Sequence, residues 1–511
     1  MKGPGECDVQ GSLGESMSKK ATDSDSVIDY RGYEPSPGIV HSIDTVPATI
    51  DVEEFFSRFI AQRKPVMIKG LLTDKEWKGH RWTNKYLKNE AGKADVIVEQ
   101  RGPKEDATFG LMAPKVSMTY GEFIDSIMND NDRLYLTTQD LERFEDDLDD
   151  FEMPKSVFAQ PLKSLADDFP LQPRLLGSLI PYQLSLWQGL AKDGSSSGLH
   201  HDYHDNLYML LRGRKRFRLF APSAVPHMKT AGIPARVHSN GLIVYRNKPD
   251  DSTVVVRADG VPMSFLIRQR KDEAEVELIE AEEALDDLLS SDIPEQQKTT
   301  ERQRLESKLE ECEARIDAAM DDMLVYGCPG TSHSDYDSDE DGEPEAKKSK
   351  SETSESSSQP IAPSVKMPDH FCDLTIPTHS DNADIMFTAH PHLRQVGCIV
   401  CELHAGDMLY LPASWFHEVT SYSDDNPPKP SESGDENLKC SEDKGHLALN
   451  YWMYPPDGDS FSAPYRDNFW SRRWDTIKDG PPPPIQKVWS SDDEEDEEAY
   501  GDGEDDDTGS C

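Results

Sequence analysis

Three kinds of hydrophobic pattern alternate along the chain. Between residues 50 and 131, apolar positions recur at helical spacing in DVEEFFSRFIAQRK, WTNKYLKNEAG and TYGEFIDSIMND. The β-rich runs KPVMIKGLL and ADVIVEQ lie between them, so this part predicts alternating helix and strand. From RLYLTTQ onward the pattern shortens to strands bounded by turn residues: YQLSLWQGL, NLYMLLRG, RKRFRLFAP and GLIVYRN. It breaks near Arg268. Residues 271–292 and 296–325 are rich in Glu, Ala, Leu and Lys, which predicts a coiled-coil-like helical hairpin or a pair of solvated helices.

Strand character returns at HFCDLTIP and runs through GCIVCELHAGDMLYLPASWFHEV and GHLALNYWMYPP, with a polar loop over 422–444 between the last two. The expected organisation has five parts. Residues 1–35 are disordered, 36–267 hold an N-terminal part and the first half of a β core, and 268–366 form an acidic helical and disordered insertion. Residues 367–478 complete the core, and 479–511 form a disordered acidic tail. The fold class is mainly β with flanking helices (α+β). An insertion of that size is tolerated because loop-closure entropy grows only slowly with length.

Composition sharpens this picture. Apolar residues make up 36% and charged residues 30% of the chain, and the formal charge is −43. Much of the acid lies in segments that cannot bury a core. Bulk charge of this sign argues against nucleic-acid binding by electrostatic attraction; it fits the solvation of disordered segments first, with a basic protein partner as the alternative. Residues 1–20 lack an apolar signal-peptide stretch, and no run is long enough to span a bilayer, so no membrane association is expected. The eight cysteines are scattered. They read as reduced thiols of cytosol or nucleus, with Lys347, Lys348 and Lys350 a candidate nuclear address. Cys398 and Cys401, three apart on a predicted strand, point to opposite faces and read as core residues rather than a zinc pair. The pattern carries no signature of an oligomeric state.

The chemistry concentrates in SGLHHDYHDNLYMLLRGRKRFRLFAP, residues 197–222. His200 and Asp202 are two apart, so on a strand both point to one face. A histidine and a carboxylate so placed are two-thirds of the facial triad of non-haem Fe(II) oxygenases. In the strand that follows, Lys215 shares a face with Phe217 and Leu219. An interior lysine is costly unless it meets an anion. In GDMLYLPASWFHEV, His417 follows Trp415 and Phe416 in a segment placed to reach a buried centre, and is the candidate third ligand. Ser197, Asn206, Tyr135 and Asn450 lie on predicted strands or at their ends and offer the hydrogen bonds a dicarboxylate needs.

On LHHDYHDNLYMLLRGRK, GDMLYLPASWFHEV and LNYW, in that order, the sequence resembles the JmjC group of double-stranded β-helix (cupin-like, jelly-roll) oxygenases, and within it the small branch of protein hydroxylases. The resemblance covers about residues 50–265 and 370–478. It implies iron held by His200, Asp202 and His417, and 2-oxoglutarate contacted by Lys215, Ser197, Tyr135, Asn206 and Asn450. The implied activity is Fe(II)-, 2-oxoglutarate- and O2-dependent hydroxylation of a protein side chain. Lysine demethylation by the same chemistry, and a cupin scaffold kept only for interaction, are the rival expectations. Two features depart from the family pattern. Ser197 stands where threonine is usual, and a charged insertion divides the triad. His201 and His204 match no ligand position, and solvent-facing or packing roles are expected for them.

Overall fold

Eight strands carry the centre of the molecule, numbered in chain order. They are β1 Pro181–Gly189, β2 Ser195–Ser196, β3 Asp205–Arg212, β4 Arg214–Phe220, β5 Cys398–His404, β6 Asp407–Leu411, β7 Phe416–Tyr422 and β8 His446–Met453. The structure is a computed structural model that describes residues 27–101, 113–141, 156–191, 194–246, 256–326, 367–374, 383–423 and 443–479. The expected disorder before residue 27, over 329–366 and after 479 lies outside the described residues. So do the candidate nuclear address and most of the polar loop over 422–444.

One sheet runs β6-β3-β8-β1 and the other β5-β4-β7-β2, every neighbour antiparallel. Apart from β4 and β5, which pair in one sheet, strands consecutive in sequence thus cross between two facing sheets, which is the double-stranded β-helix, or jelly roll. The first sheet grows to nine strands, with Asp44–Pro47 and Val66–Lys69 beyond β6, and Leu134–Leu136, Asp95–Gln100 and Lys115–Thr119 beyond β1. The second gains Val40–Ser42, parallel to β5. Gly213 makes the β3–β4 reversal possible. Its φ is +84°, and a Cβ there would come within 2.7 Å of the Tyr422 carbonyl oxygen.

The N-terminal helices close one flank. Helix α1, Asn84–Ala91, is capped by Thr83, and α2, Tyr120–Met128, by a reciprocal Thr119–Glu122 box. Both send apolar residues (Leu87, Phe123, Ile127) into the largest core cluster, which continues through β1, β3 and β8. Cys398 and Cys401 face different clusters on opposite sides of β5, and burial pushes both thiols up to about 12. They are core residues.

Two boundaries differ from expectation. Ordered chain is present from Val27, not residue 36: Val27–Ile28 pairs with Pro234–Val237, and the Tyr33 ring stacks on Trp415. Tyr30 and Tyr33 give an otherwise polar segment an apolar hold that average composition hides. The insertion's first helix, α3, spans Met263–Ser290 and starts before Arg268, because Phe265 is an anchor. Phe265 meets Phe469 edge-on and carries the Arg473 guanidinium 4.9 Å over its ring. Helix α4, Glu295–Tyr326, returns antiparallel, as the Arg270–Asp322 and Glu277–Arg315 bridges show. Lys298 caps the carbonyls of Leu289 and Ser291 at the end of α3. A last helix, α5, Phe469–Asp479, seats the hairpin: Arg472 bonds Glu273, and Trp470 stacks on Tyr454. No described helix is long and apolar enough to cross a membrane.

Candidate active site

His200 and His417, distant in sequence, sit directly opposite one another. Each donates its backbone N–H to the other's carbonyl, at 3.1 and 2.7 Å. This pairing aligns the loop before β3 with β7. Asp202 is brought in by the turn before β7, whose Ser414 N–H donates to the Asp202 carbonyl at 2.7 Å. The HxD motif therefore lies in the loop entering β3 rather than on a regular strand. Tertiary hydrogen bonds, not strand alternation, bring its two side chains together.

The ring orientations suit a metal. Nδ1 of His200 bonds the Gly198 carbonyl (3.0 Å) and Nδ1 of His417 the Trp415 carbonyl (2.9 Å). With each Nδ1–H donating to backbone, each Nε2 is left as the lone-pair nitrogen. Ligand atoms of His200, Asp202 and His417 all lie within 4.8 Å of one another, and His417 Nε2 is 3.6 Å from Asp202 Oδ2. Burial, then the neighbouring His417, holds His200 down at about 3, so its imidazole is neutral. Burial alone would raise the Asp202 carboxyl, but the surrounding histidines, His417 first, pull it below its usual value. Two imidazole nitrogens and one carboxylate fit the donor set of an Fe(II) site.

Beside the triad opens a cavity of roughly 500 Å³. Its wall includes Lys215, Tyr135 and Tyr208. Lys215 is 1% exposed, donates to the Tyr135 hydroxyl at 3.2 Å and lies over the rings of Tyr135 and Tyr208. Among the described residues no carboxylate reaches it. Burial lowers it to about 7. The Tyr208 hydroxyl, also buried, has no hydrogen-bond partner among the described residues. A buried ammonium and an orphaned hydroxyl both carry a desolvation cost that an anion in the cavity would offset. The residues fit a carboxylate ligand reaching from the metal centre toward Lys215.

A cupin-like domain matches residues 52–459. JmjC domain-containing protein 4 of Schizosaccharomyces pombe is 31% identical over 465 residues, covering 87% of this chain and 91% of the relative. The chain belongs to the JmjC-type cupin-like family. Two further relatives align over shorter stretches. tRNA wybutosine-synthesizing protein 4 of Emericella nidulans is 26% identical over 41% of this chain and 18% of its own length. JmjC domain-containing protein E of Dictyostelium discoideum is 27% identical over 36% of this chain and 53% of its own length.

The remaining positions singled out on the family pattern separate into two groups. Tyr135, Lys215, Asn206 and Ser197 line the cavity. Ser197 does so with its hydroxyl donating to the Gly198 carbonyl and accepting from Val419 N–H. Asn450, expected as a cosubstrate contact, lies behind Asn206. Its Nδ2 donates to Asn206 Oδ1 (3.2 Å) and its Oδ1 accepts from Trp187 Nε1 (2.8 Å). Its amide is already engaged on both ends, so it orients Asn206. His201 is buried, bonded to the Tyr245 hydroxyl at 2.8 Å, and His204 stacks on Tyr182 with centroids 3.9 Å apart. His204 lines the cavity rather than facing solvent. Tyr208 was legible but overlooked: it is two residues beyond Asn206 on β3 and so shares its face. Trp452 follows Asn450 by the same rule. Gln139 and His370 had no such signal, since they reach the cavity from irregular segments.

Proposed function

We propose that the protein is an Fe(II)- and 2-oxoglutarate-dependent oxygenase that hydroxylates a side chain of a protein substrate. One observation carries this reading: the reciprocally bonded His200–His417 pair with Asp202 adjoins a cavity that also holds a buried lysine with no carboxylate partner among the described residues. Iron with 2-oxoglutarate and O2 supplies the oxidising chemistry, giving succinate, CO2 and an oxidised C–H bond. The protein's own part is positional. His200, Asp202 and His417 would hold the metal. Lys215, Tyr135 and Tyr208 take the distal carboxylate, and Asn206, braced by Asn450, is placed for the proximal end. Aromatic walls from Trp452 and the Tyr182–His204 stack exclude water. The formal charge of −43 favours a basic protein substrate.

The test is incubation of the full-length chain with Fe(II), 2-oxoglutarate, O2 and a set of Lys/Arg-rich peptides. Expected are succinate and a peptide mass gain of one oxygen, both absent with His200→Ala. Loss of a methylene from an N-methylated peptide would replace hydroxylation by demethylation. Succinate formation equal in wild type and His200→Ala would remove the oxygenase reading.

A further inference from the structure

The loop before β3 provides two triad residues and β7 the third, and the insertion lies between them. The turn Pro412–Trp415, directly ahead of His417, must therefore be held by contacts distant in sequence. They converge on Asp205, which is fully buried. Its carboxylate accepts from the Tyr410 hydroxyl at 2.6 Å, from the Ala413 N–H at 2.9 Å and from Arg63 Nη1 at 2.8 Å, with Arg63 Nη2 closing on the other oxygen. Arg63 in turn donates through Nε to the Asn240 carbonyl (2.8 Å), and its own carbonyl accepts from Trp415 Nε1 (3.2 Å). Ser414, between Ala413 and Trp415, donates its N–H to the Asp202 carbonyl and accepts from Ile243 N–H.

Two backbone conformations mark how firmly this turn is held. Arg63 (φ +52°) and Ser414 (φ +60°) both occupy the left-handed region, unfavourable for residues with a Cβ unless their surroundings fix them. A buried ion pair is a poor source of net stability, because desolvation offsets most of its attraction. What it does supply is fixed geometry. Here the four groups on one carboxylate come from a turn in the N-terminal part, from β6 and from the turn leading to β7.

We infer that the buried Arg63–Asp205 pair is a positioning lock for the metal centre. By gripping Tyr410 and Ala413 it sets where His417 lies relative to His200 and Asp202. Arg63 and Asp205 are positioning residues, since neither is among the candidate metal ligands. The inference rests on the metal-centre reading above.

The test uses the full-length chain with Co(II) as the probe, read by its visible spectrum and by titration. Tyr410→Phe removes one hydrogen bond to the lock and keeps the ring, while Asp205→Asn and Arg63→Met break the pair. Tyr86→Phe is the matched control: its hydroxyl donates at 2.8 Å to another buried carboxylate, Asp168, in the N-terminal part. Expected for Tyr410→Phe is a Co(II) affinity lower by about tenfold with shifted absorption bands, and a larger loss for Arg63→Met. Tyr86→Phe should lower the unfolding temperature and leave both metal readouts at wild-type values. Wild-type affinity and spectrum in Tyr410→Phe and Asp205→Asn would overturn the lock, and these two variants decide the matter even if Arg63→Met does not fold. Wild-type Co(II) binding in His200→Ala would instead overturn the metal-centre reading, and the lock with it.

Discussion

The jelly roll and the α3–α4 hairpin bury residues in opposite ways. Every residue of β8 is buried, and so is nearly every residue of β3 and β4, polar ones included. In α3 the buried residues are Ile267, Ala274 and Ala281, one in every seven, and Leu305, Cys312 and Ala319 face them from α4 at the same interval. Small residues at that spacing let two helices approach closely while the rest of each surface stays polar. In the barrel a buried polar group needs a partner, and among the described residues Lys215 has a hydroxyl but no carboxylate and the Tyr208 hydroxyl has no hydrogen-bond partner, so both point to a ligand. Apart from the buried cap Lys298, the hairpin's ion pairs lie at the surface, so changing them costs little. Chemistry therefore sits where burial is expensive, and tolerance sits where it is cheap.

The largest expected effect lies in the barrel. Asp202→Ala should reduce Fe(II)-dependent succinate formation to background while the circular dichroism spectrum stays native. Retained turnover would break the contrast at its strongest point.

Lys215→Ala should raise the 2-oxoglutarate concentration for half-saturation by about 10–100-fold, the loss of a charge-assisted contact of ~1.5–3 kcal/mol. The same lysine sets a pH dependence. Its folded value of about 7 lies below the unfolded 10.5, so between these the unfolded chain holds the extra proton. Stability of the ligand-free protein should rise with pH across that window. Binding of the dicarboxylate has the opposite sign, because it needs the ammonium. Affinity should fall about tenfold per pH unit above 7 in wild type and stay flat in Lys215→Arg. Calorimetric titration at pH 6.5 to 8.5 measures it, and a flat wild-type profile would mean that Lys215 is charged in the ligand-free state.

Tyr208→Phe removes an orphaned donor without opening a cavity. A 2-oxoglutarate affinity lower by about 3–10-fold, for one hydrogen bond of ~1 kcal/mol, with unchanged Co(II) binding, is expected. Tighter binding in the variant would show that the hydroxyl never meets the ligand.

The smallest effect on the site should come from Ala274→Leu. Overpacking there costs ~1–3 kcal/mol but is confined to the hairpin. Hydrogen exchange should quicken in α3 and α4, while 2-oxoglutarate affinity stays within twofold. A site that weakens in step would show that the Phe265–Phe469 and Trp470–Tyr454 contacts carry strain into the barrel.

Much of this architecture is written locally. Short apolar runs bounded by turn residues mark β3, β4 and β8, and an HxD motif followed by an interior lysine marks the chemistry, because such patterns are properties of neighbouring residues. Capping residues such as Thr119 and Glu122 likewise announce α2. Other features are decided only by tertiary contacts. That His200 faces His417, that Asn450 braces Asn206, and that Arg63 closes on Asp205 all depend on pairings between distant segments. The same holds for the N-terminal arm, whose order comes from Tyr33 meeting Trp415. No local period encodes such meetings. They follow from how two sheets close on each other, and from the requirement that each polar group they bury finds a partner.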